Sequence, residues 1–240
     1  MDKEKNWRSI FEFFLDTKKI TNYSYKNLLF AAGHLKSKTG GFTVKKWMNE
    51  CNIIDKKLEI KKGDTILEIG SGSGALLKYF QKKAKIYGAD YSPQLLNLSK
   101  RAIPNGKFQL KEASKINYKK DFFDVVILYS CIQYFENTNY FKKVINKIKK
   151  ILKKNGKLFI GEIVDGDNLK NFEKYRKSQI GSKKYNLMYE KNKKLKHYAL
   201  GRVEILKLFE KDFKNFEIFN SIKRGNEKDY YRFNFSCLKK

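Results

Sequence analysis

Three cysteines, two histidines and six arginines are scarce for a chain of 240 residues. Cys51, Cys131 and Cys237 are odd in number and widely spaced, which reads as reduced thiols and argues against a disulfide framework or a zinc site. With only His34 and His197, and no clustered carboxylates, no metal is expected. No apolar run approaches the roughly 20 residues of a membrane helix. The start, Met1-Asp2-Lys3-Glu4-Lys5, leads into no signal-type apolar stretch. A cytoplasmic protein without a membrane partner is expected. Arginine, the residue that reads bases and phosphates bidentately, is confined to Arg8, Arg101, Arg176, Arg202, Arg224 and Arg232. The net charge of +28 is therefore carried by lysine scattered over the whole chain. It reflects either the Lys, Asn, Ile, Phe and Tyr richness of an AT-rich genome or a polyanionic partner, nucleic acid included.

Hydrophobic content of 41% and aromatic content of 15% exclude a disordered chain. The length suits one α/β domain with a modest appendage. Its centre is Asp64 to Phe80. Thr65 to Ile69 is a short β-branched and apolar run, as in a buried parallel strand. Gly70, Gly72 and Gly74 break it, and Ala75, Leu76, Leu77, Tyr79 and Phe80 resume at helical spacing, with free helix N–H groups expected to face the loop. Gly70, Gly72 and Ala75 also satisfy a dinucleotide fingerprint. Glu68 discriminates: a carboxylate two residues before the first glycine repels a pyrophosphate and suits a ligand carrying an ammonium group. Lys85 to Asp90 reads as a second strand ending in an acid placed for ribose hydroxyls. Ser92-Pro93 caps the next helix.

Here the chain resembles the class I S-adenosylmethionine (SAM) dependent methyltransferases. Glu68-Ile69-Gly70-Ser71-Gly72-Ser73-Gly74 matches their glycine motif and Asp90 their ribose acid. Lys107 to Ala113, Phe122 to Ser130 and Asn155 to Glu162 follow as the third, fourth and fifth strand regions, so the likeness runs from about Leu58 to Val164. It implies a Rossmann-like, doubly wound, seven-stranded α/β sheet, mostly parallel with a reversed last strand. It also implies SAM as cofactor, S-adenosylhomocysteine as product, and cofactor contacts from Glu68, Gly70, Ser71, Gly72, Gly74, Asp90, Tyr91, Glu112, Ala113 and Ser130. A helical cap over residues 1–57, a methyltransferase domain over 58–240 and a lid at about 165–200 fit the small-molecule members. A weak likeness of the Ile132 to Phe135 turn and the Gly161 to Asp165 exit points to bacterial glycan or natural-product pathways. Neither Pro93 nor Pro104 stands in the motifs of base-methylating relatives.

Trp7 to Leu15, Asn27 to Leu35 and a Thr43-capped segment are expected as helices of the cap, and residues 36–39 as a mobile loop. Asn139 to Leu152 reads as an amphipathic helix with lysines near its C-terminus. One or two lid helices, a helix from Arg202 to Phe213, and strands at Phe216 to Ile222 and Arg232 to Cys237 complete the chain. A hydroxyl acceptor profits from a base; the candidates are His34, His197 and Asp165. Tyr25, Gln133, Tyr134, Arg176 and Tyr189 are the candidate acceptor contacts. His34 and His197 carry structural readings of at least equal standing, and for Tyr25 packing with a wet hydroxyl is the stronger reading. The expected activity is methyl transfer to O or N of a small molecule, a sugar or other metabolite, by a monomer or homodimer. Methylation of RNA or protein is the alternative. A non-catalytic binding module and a nicotinamide enzyme explain fewer of the motifs.

Overall fold

A computed structural model describes residues 20–35, 41–186, 197–222 and 230–240. Strand β1 (Thr65–Ile69) is buried along its whole length, as its unbroken apolar run requires. It pairs in parallel with β2 (Lys85–Asp90) on one side and β4 (Phe123–Tyr129) on the other. Strand β3 (Lys107–Leu110) adds to β2, and β5 (Leu152–Val164) to β4, both parallel. The chain ends with β6 (Phe213–Asn220) and β7 (Arg232–Lys239), and β7 lies antiparallel between β5 and β6. The order β3-β2-β1-β4-β5-β7-β6 is the seven-stranded sheet with one reversed strand that the sequence implies. It reverses between β1 and β4, where a crevice opens beyond the strand ends.

The two faces of the sheet take alternate residues. Ile66, Ile127 and Phe159 face helices α1 (Tyr25–Ala31), α2 (Val44–Leu58), the four-residue α3 (Leu77–Phe80) and α4 (Pro93–Ala102). Leu67, Ile69, Val126 and Leu128 face α5 (Thr138–Ile151) and α8 (Arg202–Phe209). Between them in the chain lie α6 (Leu169–Ile180) and α7 (Ser182–Tyr185), within the segment expected as a lid. Thr43, Ser92 and Asn137 each accept a backbone N–H of the first helical turn, and Pro93 starts α4.

Several boundaries differ from expectation for local reasons. Helix α1 stops at Ala31 because Gly33 turns left-handed at φ +68, and Leu35 then bridges to Phe42. Helix α8 stops at Phe209: Phe213 stands four residues on, at helical spacing, yet fills the core from β6. Strand β5 starts at Leu152, where α5 has just ended, with Asn155 at φ 55 in a register irregularity. The expected Trp7 to Leu15 helix and the expected 36–39 loop lie outside the described residues.

Candidate active site

Glu68 is carried by β1 to the crevice, paired in register with Gly88 and Ile127. It is 3% exposed, and its Oε2 accepts no hydrogen bond. Burial, and after it the nearby Asp90 charge, push its carboxyl well above the usual carboxylate range. Asp90, at the end of β2, accepts the Gly72 N–H on Oδ2 and the Ser92 N–H on Oδ1, each at 2.8 Å. Burial raises its carboxyl too, against the lowering effect of those N–H groups.

The glycine loop spends its donors inward. Gly70 and Ser71 donate to Ala89 O at 2.7 and 3.1 Å, and Gly74 to Ser71 O at 2.9 Å. With Gly72 held by Asp90, these four N–H groups are not available to an anion, and α3 is too short to present an N-terminus. The same geometry disfavours a dinucleotide pyrophosphate. Gly70 has φ +77, and a Cβ there would lie 2.7 Å from Cys131 Cβ. Gly70→Ala is expected to displace the β4 exit and weaken S-adenosylhomocysteine binding by at least about tenfold, about 1.4 kcal/mol, measured by titration calorimetry.

Beyond β4, Ser130 adopts φ 51 and donates its N–H to Gly161 O at 3.0 Å. Gln133 holds that conformation: its Nε2 donates to Ser130 O at 2.8 Å and to Ser130 Oγ at 3.0 Å. Cys131 Sγ donates to Ile69 O at 3.3 Å. From the N-terminal side, His34 stacks on Trp47 with centroids 5.8 Å apart, and both meet the ring of Tyr129 at 6.3 and 5.5 Å. The Tyr129 hydroxyl donates to Glu50 Oε1 at 3.2 Å, and Glu50 is fully buried. Ser73 Oγ donates to Leu28 O at 2.7 Å, tying the loop to α1.

These groups enclose a cavity of ≈ 920 Å³ including its mouth. Of the expected site residues, Glu68, Gly70, Ser71, Gly72, Asp90, Tyr91, Ala113, Ser130, Tyr134 and His34 line it. The others stand elsewhere for identifiable reasons. Gly74 packs on Ser99. Glu112 turns to Lys115 at 2.8 Å, and Lys111 takes its place in the wall. Gln133 acts on Ser130. Asp165 closes the turn to Asp167 N and pairs with Arg202 at 3.2 Å. His197 stands behind Tyr134 and beside Phe172, with ring centroids 6.0 and 6.1 Å away. Tyr25 packs on the α2 side of the core, where burial pushes its hydroxyl up to about 12. Arg176 is half-buried on α6 and outside the cavity wall, and Tyr189 lies outside the described residues. Sequence reasoning missed Trp47 and Tyr129: an aromatic at helical spacing with Cys51 and Ile54, and one ending a buried strand, read as core. Among the described residues no group of three His, Cys, Asp or Glu side chains could hold a metal, and no helix is long and apolar enough to cross a membrane.

A sheet of this order with β7 reversed, and a cavity at the β1/β4 switch bordered by Glu68 and Asp90, are the arrangement of the Rossmann-like methyltransferase fold. Residues 67–160 match the family described as Methyltransferase domain, and this match supports SAM as the cofactor. An uncharacterized protein of Methanocaldococcus jannaschii, MJ1123, is 34% identical over 51% of this chain and 58% of its own length. The chain thus spans little more than half of that relative. Among solved structures, the N-methyltransferase NodS of Bradyrhizobium japonicum, in complex with S-adenosyl-L-homocysteine, superimposes with a TM-score of 0.60 at 13% identity, over 80% of this chain and 86% of NodS. A complex of the Haloferax volcanii Trm112 methyltransferase activator with a methyltransferase matches with a TM-score of 0.63 at 12% identity, over 100% and 98% of the two chains. These likenesses bear on the fold.

Proposed function

We propose that the protein transfers a methyl group from SAM to an O or N atom of a small-molecule acceptor. The carrying observation is the Glu68 Oε2 atom, buried in the cavity wall without a hydrogen bond, beside Asp90. An orphaned buried carboxylate oxygen fits an ammonium group, and Asp90 retains acceptor capacity for ribose hydroxyls beyond the two N–H groups it binds. Gly72, at φ +52, has open space where a Cβ would point, so its backbone can closely approach a ligand. Tyr91 and Ala113 flank the same wall on the adenine side. SAM supplies a methyl already activated on a sulfonium. What remains for the protein is alignment, a proximity effect of several kcal/mol, about 7 at least in well-oriented systems. His34 is the histidine in the wall, and it is the base available to a hydroxyl acceptor. The cap, the lid at about 165–200, and a setting in bacterial glycan or natural-product metabolism belong to this reading.

The second reading, RNA or protein as acceptor, rests on the +28 charge. Against it, Lys111 is the one Lys or Arg among the described residues lining the cavity. The deciding experiment is transfer from methyl-labelled SAM to nucleotide sugars, amines, carboxylic acids and bulk RNA at low and high salt. Salt-insensitive label in a small molecule supports the proposal, whereas label in RNA that collapses with salt overturns it.

Glu68 makes a further prediction. Its raised carboxyl means that the ligand-free protein loses stability as pH rises from about 4.3, the unfolded value, through the folded one. An incoming ammonium favours the ionised form. S-adenosylhomocysteine binding in that window is expected to release a proton, seen as a heat that depends on buffer ionisation enthalpy. Glu68→Gln should abolish the release and weaken binding about ten- to 100-fold.

A further inference from the structure

The chain carries 53 Lys and Arg residues against 25 Asp and Glu, yet the wall of its cavity is built the other way round. Glu68 and Asp90 are buried in it, and the one lining lysine among the described residues, Lys111, follows β3 at the Asp90 end, its N–H bonded to Asp90 O. With Glu68 and Asp90 assigned to the donor, the wall around the β4 exit includes, beside Ser130 and Cys131, the rings of His34, Trp47, Tyr129, Tyr134 and Phe135. His34, Trp47 and Tyr129 meet one another at 5.5 to 6.3 Å, so they form one aromatic corner. The Tyr129 hydroxyl donates its proton to Glu50, a fully buried acid on α2. Its oxygen therefore presents lone pairs, with an acidic group behind the ring. Electron-rich ring faces attract cations and give an anion nothing to pair with. Among the described residues of this corner no Lys or Arg stands to pair with a carboxylate or phosphate acceptor, which would be desolvated here.

Resting on the methyltransferase reading, we propose that the acceptor atom is an amine nitrogen, recognised by the aromatic corner of His34, Trp47 and Tyr129 with Glu50 as the positioning residue behind Tyr129. The neutral amine's lone pair forms the new C–N bond while the methyl–sulfur bond breaks and its electron pair goes to sulfur. Nitrogen takes up the positive charge that sulfur gives up, and the corner holds this cation. An amine arriving protonated first gives its proton to water at the mouth, and a product still bearing N–H returns to neutral the same way. No second co-reactant is required.

The test uses tetramethylammonium, its uncharged counterpart tert-butanol and the anion pivalate, each titrated calorimetrically into protein saturated with S-adenosylhomocysteine. Tetramethylammonium is expected to bind at least about tenfold tighter than either of the others. Glu50→Gln keeps the shape and is expected to shrink that preference at least about threefold while leaving S-adenosylhomocysteine affinity unchanged, which a merely structural role would not do. Tyr129→Phe, the second variant, keeps the ring and removes the hydroxyl, with the same expected direction. Binding of tert-butanol or pivalate as tight as that of tetramethylammonium overturns the proposal. So does the absence of all three from protein that does bind S-adenosylhomocysteine. Failure to bind S-adenosylhomocysteine itself removes the methyltransferase reading beneath it.

Discussion

Asp90→Ala is expected to lower S-adenosylhomocysteine affinity by at least about 100-fold. The carboxylate accepts Gly72 and Ser92 N–H groups at 2.8 Å each, so it sets the loop as well as facing the cavity. Hydrogen bonds to a charged group contribute about 1.5–3 kcal/mol each, and losing both amounts to about 3–6 kcal/mol, or two to four decades if it falls on binding. Part of it falls on the fold instead, so calorimetric titration must be read beside a thermal melt. Asp90→Asn retains one good acceptor and should lie between alanine and the native protein in both readouts. An alanine variant that binds within threefold of the native protein would falsify the assignment.

Glu162→Ala is expected to cost about 3–5 kcal/mol of stability. Glu162 is fully buried in β5 at a register irregularity, with φ 62. Its N–H donates to Asn234 Oδ1 at 2.9 Å, its carboxylate lies 3.6 Å from Arg232 Nε, and Arg232 Nη1 donates to its carbonyl at 2.9 Å. Alanine removes a countercharge from a guanidinium that also stacks over Phe172 at 5.4 Å, while keeping a strained left-handed residue. Glycine removes the same charge but relieves the backbone, and should recover about 1 kcal/mol relative to alanine. Urea unfolding of the three proteins measures both numbers. The melting midpoint should fall by roughly 2–4 °C per kcal/mol at this chain length. If alanine and glycine are equally stable, the strain argument fails; if both match the native protein, the ion-pair argument fails.

What the sequence disclosed, and what it withheld, divides along the range of the interactions. Thr65–Ile69, Lys85–Asp90 and the Ser92-Pro93 cap are written in contiguous residues, and strand and helix bounds fall where the pattern puts them. Glu68 was legible as a chemical anomaly, a carboxylate in an apolar strand. Its missing hydrogen bond was not, because that depends on everything packed around it. Glu112 was placed one residue too far along: Lys111 reaches the wall and Glu112 turns to Lys115, a choice made by the geometry of the β3 exit. The Glu50–Tyr129 contact joins positions 79 apart, beyond any periodicity. The inward use of the loop N–H groups also escaped sequence reasoning, since glycine spacing is the same whether the donors face a ligand or β2.

The position of β7 bears on how the protein is made. Strand β6 leaves the ribosome before β7 yet stands outside it in the sheet, where it pairs with β7 and β7 pairs with β5. Until residues 232–239 have emerged, β6 has no strand to pair with, and β5 exposes a row of unpaired backbone groups just where Glu162 is to be buried. The five parallel strands and their cavity wall can therefore assemble during synthesis, while β7, translated after them, closes the sheet. Ribosome stalling ahead of residue 232 should yield a nascent chain that proteases cut readily and that chaperones bind. Stalling with residue 239 clear of the exit tunnel should yield a resistant one.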